Sequence, residues 1–151
     1  MKLSEIATIS GKPGLFRIFK PTKGGVIIEA LDERKTKSVV ASTHKVSILH
    51  EVSIYTTDAE GAVLLSLVLK NMYNTYQDAL PIDPKADQKE LFAFFEQVLP
   101  EFDKSKVYHS DIKKLLTWYN ILIKYAPAIF EELNKEEENE TVTDNKEEEK
   151  V

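Results

Sequence analysis

Residues 14–31 read GLFRIFKPTKGGVIIEAL, two apolar runs separated by a turn. The run at residues 14–20 is rich in aromatic and β-branched side chains, and residues 25–31 form a second run of that kind. Pro21 and the Gly24-Gly25 pair lie between them, and proline and glycine are the residues that most often form turns. This stretch therefore predicts two β-strands joined by a tight turn.

Three further segments on the carboxyl-terminal side also predict strands. They are residues 37–42 (KSVVAS), residues 45–49 with a short strand and a single 3₁₀ turn, and residues 51–56 (EVSIYT). Short strands separated by tight turns predict a small meander that closes into a barrel of SH3-like or Sm-like type. An open sheet is the alternative, because the run at residues 25–31 is apolar on both faces.

The second half of the chain predicts helices. Thr57 and Glu60 have the spacing of a capping box, in which each side chain accepts a hydrogen bond from a free backbone N–H, and an apolar helix follows to Tyr76. Asp83 and Pro84 suit the N-cap and first position of a second helix, which ends near Pro100.

A third helix is predicted after Ser110, a residue preferred at N-caps, with Asp111 near its positive end. Pro127 then restarts the chain into a short last helix. The sequence thus predicts an α+β protein with a β-barrel domain at residues 1–57 and a helical domain at 58–133. Residues 134–151 are almost free of apolar side chains and predict a disordered acidic tail.

The charge is unevenly distributed along the chain. The net charge is −5 overall, but residues 1–57 carry +4, residues 58–130 carry −2 and residues 131–151 carry −7. The chain has no cysteine, no signal-like N-terminus and no apolar run of the roughly 20 residues that a membrane span needs. We therefore expect a cytoplasmic protein with no membrane partner.

No residue pattern indicates catalysis, a metal or a cofactor. His109, Ser110 and Asp111 have the residue types of a hydrolytic triad, but triad residues meet in space and adjacent residues fit a helix start better. The chain has three histidines, His44, His50 and His109. They lack the spacing that places two zinc ligands on one face of a helix. We expect a non-enzymatic binding or adaptor module with a protein partner, of undetermined oligomeric state.

Nucleic acid is the alternative partner. If Phe16 and Ile18 are buried, strand alternation points Arg17 and Phe19 outward, and aromatic side chains beside cations are used by proteins that bind single-stranded nucleic acid. The candidate binding residues are Arg17, Phe19, Lys20, Lys23, Arg34, Lys35 and Lys37. A second candidate surface is the helix that carries Lys113, Lys114 and Trp118.

Six short stretches of the chain carry a resemblance to a known family. They are LSEI (3–6), GKPGLF (11–16), STHKVS (42–47), IYT (54–56), VYHSDIKKL (107–115) and WYN (118–120). Together they resemble an uncharacterised family of small proteins from Bacteroidota, over about residues 1–130. The resemblance implies a β part followed by a helical part in a bacterial cytoplasmic protein, and it implies no catalytic residues.

Overall fold

The structure is a computed structural model that describes residues 1–41 and 43–135. The strands are β1 (Ile6–Ile9), β2 (Lys12–Thr22), β3 (Gly25–Ala30), β4 (Lys37–Ala41), β5 (Val46–Ile48), β6 (Ser53–Tyr55) and β7 (Ala62–Leu64). The helices are α1 (Leu65–Tyr76), α2 (Gln88–Val98), α3 (His109–Tyr125) and α4, the helical residues 128–135, with 3₁₀ turns at Leu3–Glu5 and Leu49–Glu51. The predicted α+β class is confirmed.

The five-stranded sheet is open. Its strand order is β4-β3-β2-β1-β5, and every pair is antiparallel. In the described residues β4 pairs only with β3 and β5 only with β1, so the predicted closed SH3-like or Sm-like barrel is not formed. The reason is that the last predicted strand, residues 51–56, pairs with β7 in a separate two-stranded sheet. The remaining edge strand, β5, has only three residues with which to close a barrel.

Each face of the sheet contributes to a different apolar cluster. Ile9, Ile28 and Val40 are buried together on one face, with Phe16 and Ile18 packed against them. On the opposite face, Ile6, Leu15 and Leu31 belong to the main core, which they share with residues of the helices. That core also contains Leu69, Phe95, Leu116, Tyr119 and Phe130, one or more from each of the four helices. The helices therefore cover only part of this second face.

The first helix begins later than predicted. Residues 62–64 form β7, and α1 starts at Leu65, so the predicted capping box at Thr57 and Glu60 is wrong. Asp58 instead organises the turn between β6 and β7, because its Oδ1 accepts hydrogen bonds from the Thr56 hydroxyl (2.7 Å) and the Gly61 N–H (3.1 Å). A hairpin thus occupies residues that helical spacing had assigned to a helix.

The other two predicted N-caps are displaced by a few residues. Asp87, rather than Asp83, caps α2: its carboxylate accepts the Glu90 N–H at 2.9 Å. Helix α3 begins at His109 instead of after Ser110, and the Asp111 carboxylate accepts the Tyr108 N–H at 2.9 Å. The predicted position of Asp111 at the positive end of this helix is confirmed.

Two predictions concern the ends of the predicted domains. The boundary at residue 57 falls within the β6–β7 hairpin, and the division into two domains stays a prediction. The acidic tail lies outside the described residues from residue 136 onward, whereas residues 134–135 belong to α4. None of the helices in the described part is both long and apolar enough to cross a membrane.

Candidate binding surfaces

The part of the sheet not covered by helices presents a cross-strand row of charged side chains. Arg17 on β2 lies opposite Glu29 on β3, and Glu29 lies opposite Lys37 on β4. Directly opposed residues of antiparallel strands share a face. The row therefore places one carboxylate between two cations, and Arg17 also contacts Glu5, with its Nε 3.3 Å from the Glu5 Oε2.

A β-bulge places Phe19 and Lys20 beside this row. The register of β2 against β3 shifts between residues 18 and 20, so that Lys20 lies opposite Ile27, which in turn lies opposite Val39. A bulge sets two residues against one on the partner strand and interrupts the alternation of faces. We call the resulting surface the outer face and define it by Arg17, Phe19, Lys20, Ile27, Glu29, Lys37 and Val39.

Exposed apolar side chains occupy the outer face. Phe19 retains 41% of its accessible surface and Val39 retains 62%. The Phe19 ring has two cationic neighbours, with the Arg17 Cζ 5.0 Å and the Lys37 Nζ 4.6 Å from its centroid. At an exposed site each such contact stabilises by about 0.5–1 kcal/mol. The ring is thus held in place while part of it remains accessible.

The structure brings together four of the seven predicted binding residues, namely Arg17, Phe19, Lys20 and Lys37. Lys23 lies in the turn between β2 and β3, while Arg34 and Lys35 lie in the loop after β3, where their N–H groups bind the Asp32 Oδ1 at 3.0 and 2.9 Å. These two loops are at opposite ends of β3, separated by roughly 20 Å at the usual rise of a strand.

A groove of about 550 Å³ lies where the β1–β2 turn and β5 meet α3. We call it the lysine groove and define it by Lys12, Lys45, Lys113, Lys114 and Trp118. All four lysines are exposed, and none has a carboxylate of a described residue within ion-pair distance. The sequence pointed to the residues on α3, but it gave no signal that Lys12 and Lys45 would join them.

An apolar cavity of about 230 Å³ adjoins the groove and shares Lys114 and Trp118 with it. Tyr55 lines this cavity with 54% of its surface exposed, and the Lys106 Nζ lies 5.2 Å from the centroid of its ring. Asp111 is the one carboxylate among the lining residues, and it already accepts the Tyr108 N–H. Five lysines and two aromatic rings therefore line the two cavities together.

The carboxylates with shifted pKa values lie outside these surfaces. The hydrogen bond from Thr56 lowers the pKa of Asp58, and the neighbouring Asp58 raises the pKa of Glu101. Asp58 lies on the turn after β6 and Glu101 in the loop after α2, and both carboxyl groups are exposed, so the shifts reflect a local pair of carboxyl groups rather than an enclosed site. The described residues contain no cluster of three or more His, Cys, Asp or Glu that could hold a metal ion.

The fold is thus that of an α+β protein in which an open antiparallel sheet precedes a helical part. Residues 3–49 match the family described as Domain of unknown function (DUF5606), and residues 52–122 match Domain of unknown function (DUF6852). A solution NMR structure of a protein from Bacteroides vulgatus, a target of the Northeast Structural Genomics Consortium, is 37% identical, with 82% of this chain and 87% of that chain covered and a TM-score of 0.66. The chain belongs to the same family as that protein. No curated protein matches it.

Proposed function

We propose that the protein is a non-enzymatic binding or adaptor module whose outer face docks another protein. The observation that carries this proposal is the exposure of Phe19 and Val39 on a part of the sheet that none of the described helices covers. Cores of protein interfaces are enriched in aromatic residues and arginine. Phe19 with its Arg17 neighbour supplies that combination at the centre of the surface.

The charges and the sheet edge indicate the kind of partner. The outer face has three cations and one carboxylate, Glu29, so its charge complements an acidic surface. Strand β4 is an edge strand, and one row of its backbone N–H and C=O groups is unpaired in the described residues. We therefore propose that an extended, acidic segment with apolar side chains adds to β4 and packs on Phe19 and Val39.

Single-stranded nucleic acid is the alternative ligand of the outer face. Surfaces that bind such strands use several aromatic side chains for successive bases. Phe19 is the one aromatic residue of the outer face, and its ring already contacts two cations. A protein partner fits these contacts better.

A photo-crosslinking amino acid at Val39 tests the proposal in cells of the source organism. The matched control carries the same group at Leu67, an apolar residue of α1 with 40% of its surface exposed. We expect one protein to be captured from Val39 and not from Leu67, and we expect Phe19→Ala or Arg17→Glu to abolish that capture while the variant remains folded by circular dichroism.

Two results would count against a protein partner. Equal background capture from Val39 and Leu67 would reject the outer face as a docking surface. Capture of RNA rather than protein from Val39 would favour the nucleic-acid alternative.

The cellular setting is also a proposal. We propose a bacterial cytoplasmic protein of the Bacteroidota, and the Bacteroides vulgatus relative and the absence of cysteine support this setting. Detection of the tagged protein in the soluble cytoplasmic fraction tests it, and recovery with the envelope fraction would contradict it.

A further inference from the structure

The lysine groove concentrates positive charge from three separate parts of the chain. Lys12 comes from the start of β2, Lys45 from the residue before β5, and Lys113 and Lys114 from the second turn of α3. Among the residues that the structure describes, no carboxylate lines this groove. Lysine side chains gathered around one concave surface create a positive potential that attracts anions.

Aromatic side chains lie next to these lysines. Trp118 lines both the groove and the adjoining apolar cavity, and the exposed Tyr55 also lines that cavity, with Lys106 beside its ring. Flat rings at such a position accept the face of a base, and the lysines on either side reach phosphates. A strand with both groups can use the groove and the cavity together.

We propose that the lysine groove and the adjoining cavity bind single-stranded nucleic acid, with phosphates at the lysines and bases against Trp118 and Tyr55. A duplex would not fit this arrangement, because its bases are stacked on each other and show only their edges. A purely acidic peptide such as polyglutamate would contact the lysines but has no flat ring to place against Trp118 and Tyr55. The site is separate from the outer face, so it can fail or succeed independently of the protein-binding proposal.

Trp118 makes the proposal directly measurable, since it is the only tryptophan of the chain. Titration with a ten-residue oligouridylate at 50 mM salt is expected to change its fluorescence. Four phosphate contacts give a salt slope of about −2.8, so the affinity should fall about 50-fold between 50 and 200 mM salt.

Two variants separate charge from stacking. Lys113→Ala with Lys114→Ala removes two contacts and should reduce the salt slope to about −1.4. Its matched control is Lys85→Ala with Lys89→Ala, two exposed lysines outside the groove, which should leave the slope unchanged. Trp118→Leu, followed by anisotropy of a labelled oligouridylate, should weaken oligouridylate binding and leave binding of polyglutamate unaltered.

Three results would overturn the proposal. They are an unchanged Trp118 fluorescence at 50 mM salt, a salt slope that Lys113→Ala with Lys114→Ala does not alter, and polyglutamate binding as tight as that of oligouridylate. The last result would assign the groove to an acidic protein segment instead.

Discussion

At the scale of single residues, Tyr119 joins two helices. It is fully buried on α3, and its hydroxyl donates a hydrogen bond to the backbone carbonyl of Gln77, the C-cap residue that follows α1. Gln77 has a φ of 53°, a left-handed conformation that a residue other than glycine adopts at some cost. Burial raises the pKa of the Tyr119 phenol above its ordinary value. The hydrogen bond thus fixes a strained helix end against the core.

Tyr119→Phe is expected to reduce the free energy of unfolding by about 1 kcal/mol near neutral pH, because it removes one hydrogen bond without opening a cavity. The native phenol stays protonated above pH 10.0, the ordinary pKa, whereas the unfolded phenol ionises there. The wild type should therefore lose up to about 1.4 kcal/mol per pH unit more than the variant above that pH.

Urea unfolding from pH 8 to 11 measures this difference between the two proteins. Tyr108→Phe, a change at an exposed tyrosine, is the control and should follow the wild type. Parallel stability curves for wild type and Tyr119→Phe would contradict the assignment.

At the scale of elements, helix α2 depends on its N-cap. The Asp87 carboxylate accepts the Glu90 N–H at 2.9 Å and satisfies one of the donors that a helix start leaves free. We expect Asp87→Ala to destabilise the protein by about 1 kcal/mol and Asp87→Asn, which keeps an acceptor, by much less. Thermal unfolding of the two variants measures this, and equal losses would show that the cap contributes nothing specific.

The hairpin of β3 and β4 supplies most of the outer face and depends on close backbone approach. A Cβ at Gly25 would lie 1.8 Å from the Val40 carbonyl oxygen, whereas one at Gly24 would meet nothing within 4 Å. Gly25→Ala should therefore force β4 away and cost about 1–3 kcal/mol, as overpacking does. Gly24→Ala is the matched control and should be near neutral. Similar urea midpoints for the two variants would contradict this packing.

Most elements could be predicted from local patterns, but their pairing could not. The strands around residues 14–31 were visible because apolar runs and turn residues are local signals. Residues 62–64 resemble the helix that follows them, and only their pairing with β6 makes them a strand. The prediction of a closed barrel was wrong for the same reason, because the strand within residues 51–56 pairs with β7 outside the five-stranded sheet.

In the candidate sites, too, local patterns predicted some of the residues, whereas tertiary contacts brought in the others. Alternation along β2 correctly placed Arg17 and Phe19 outward, and Lys37 joined them through strand register. The bulge that adds Lys20 to the face, and the meeting of Lys12 with Lys113 in the groove, arise from tertiary contacts. A single sequence contains no local signal for either.

At the scale of the whole molecule, acidic side chains are concentrated at the carboxyl terminus. Residues 136–151 carry eight acidic and two basic side chains. A tethered polyanion competes with a free one at a high effective concentration. We expect deletion of residues 136–151 to tighten oligouridylate binding at 50 mM salt, with the difference shrinking at 200 mM as screening increases. Equal affinities for the full and shortened chains would limit the acidic residues to a role in solubility.

Hydrogen exchange of the full chain, with and without the protein captured from Val39, tests most directly whether the outer face is the docking surface. Addition of a partner strand to β4 predicts slower exchange of amides in residues 37–41 and around the bulge at residues 18–20, with α1 and α2 unchanged. Protection confined to the helices, with exchange in β4 unaltered, would contradict the proposed docking surface.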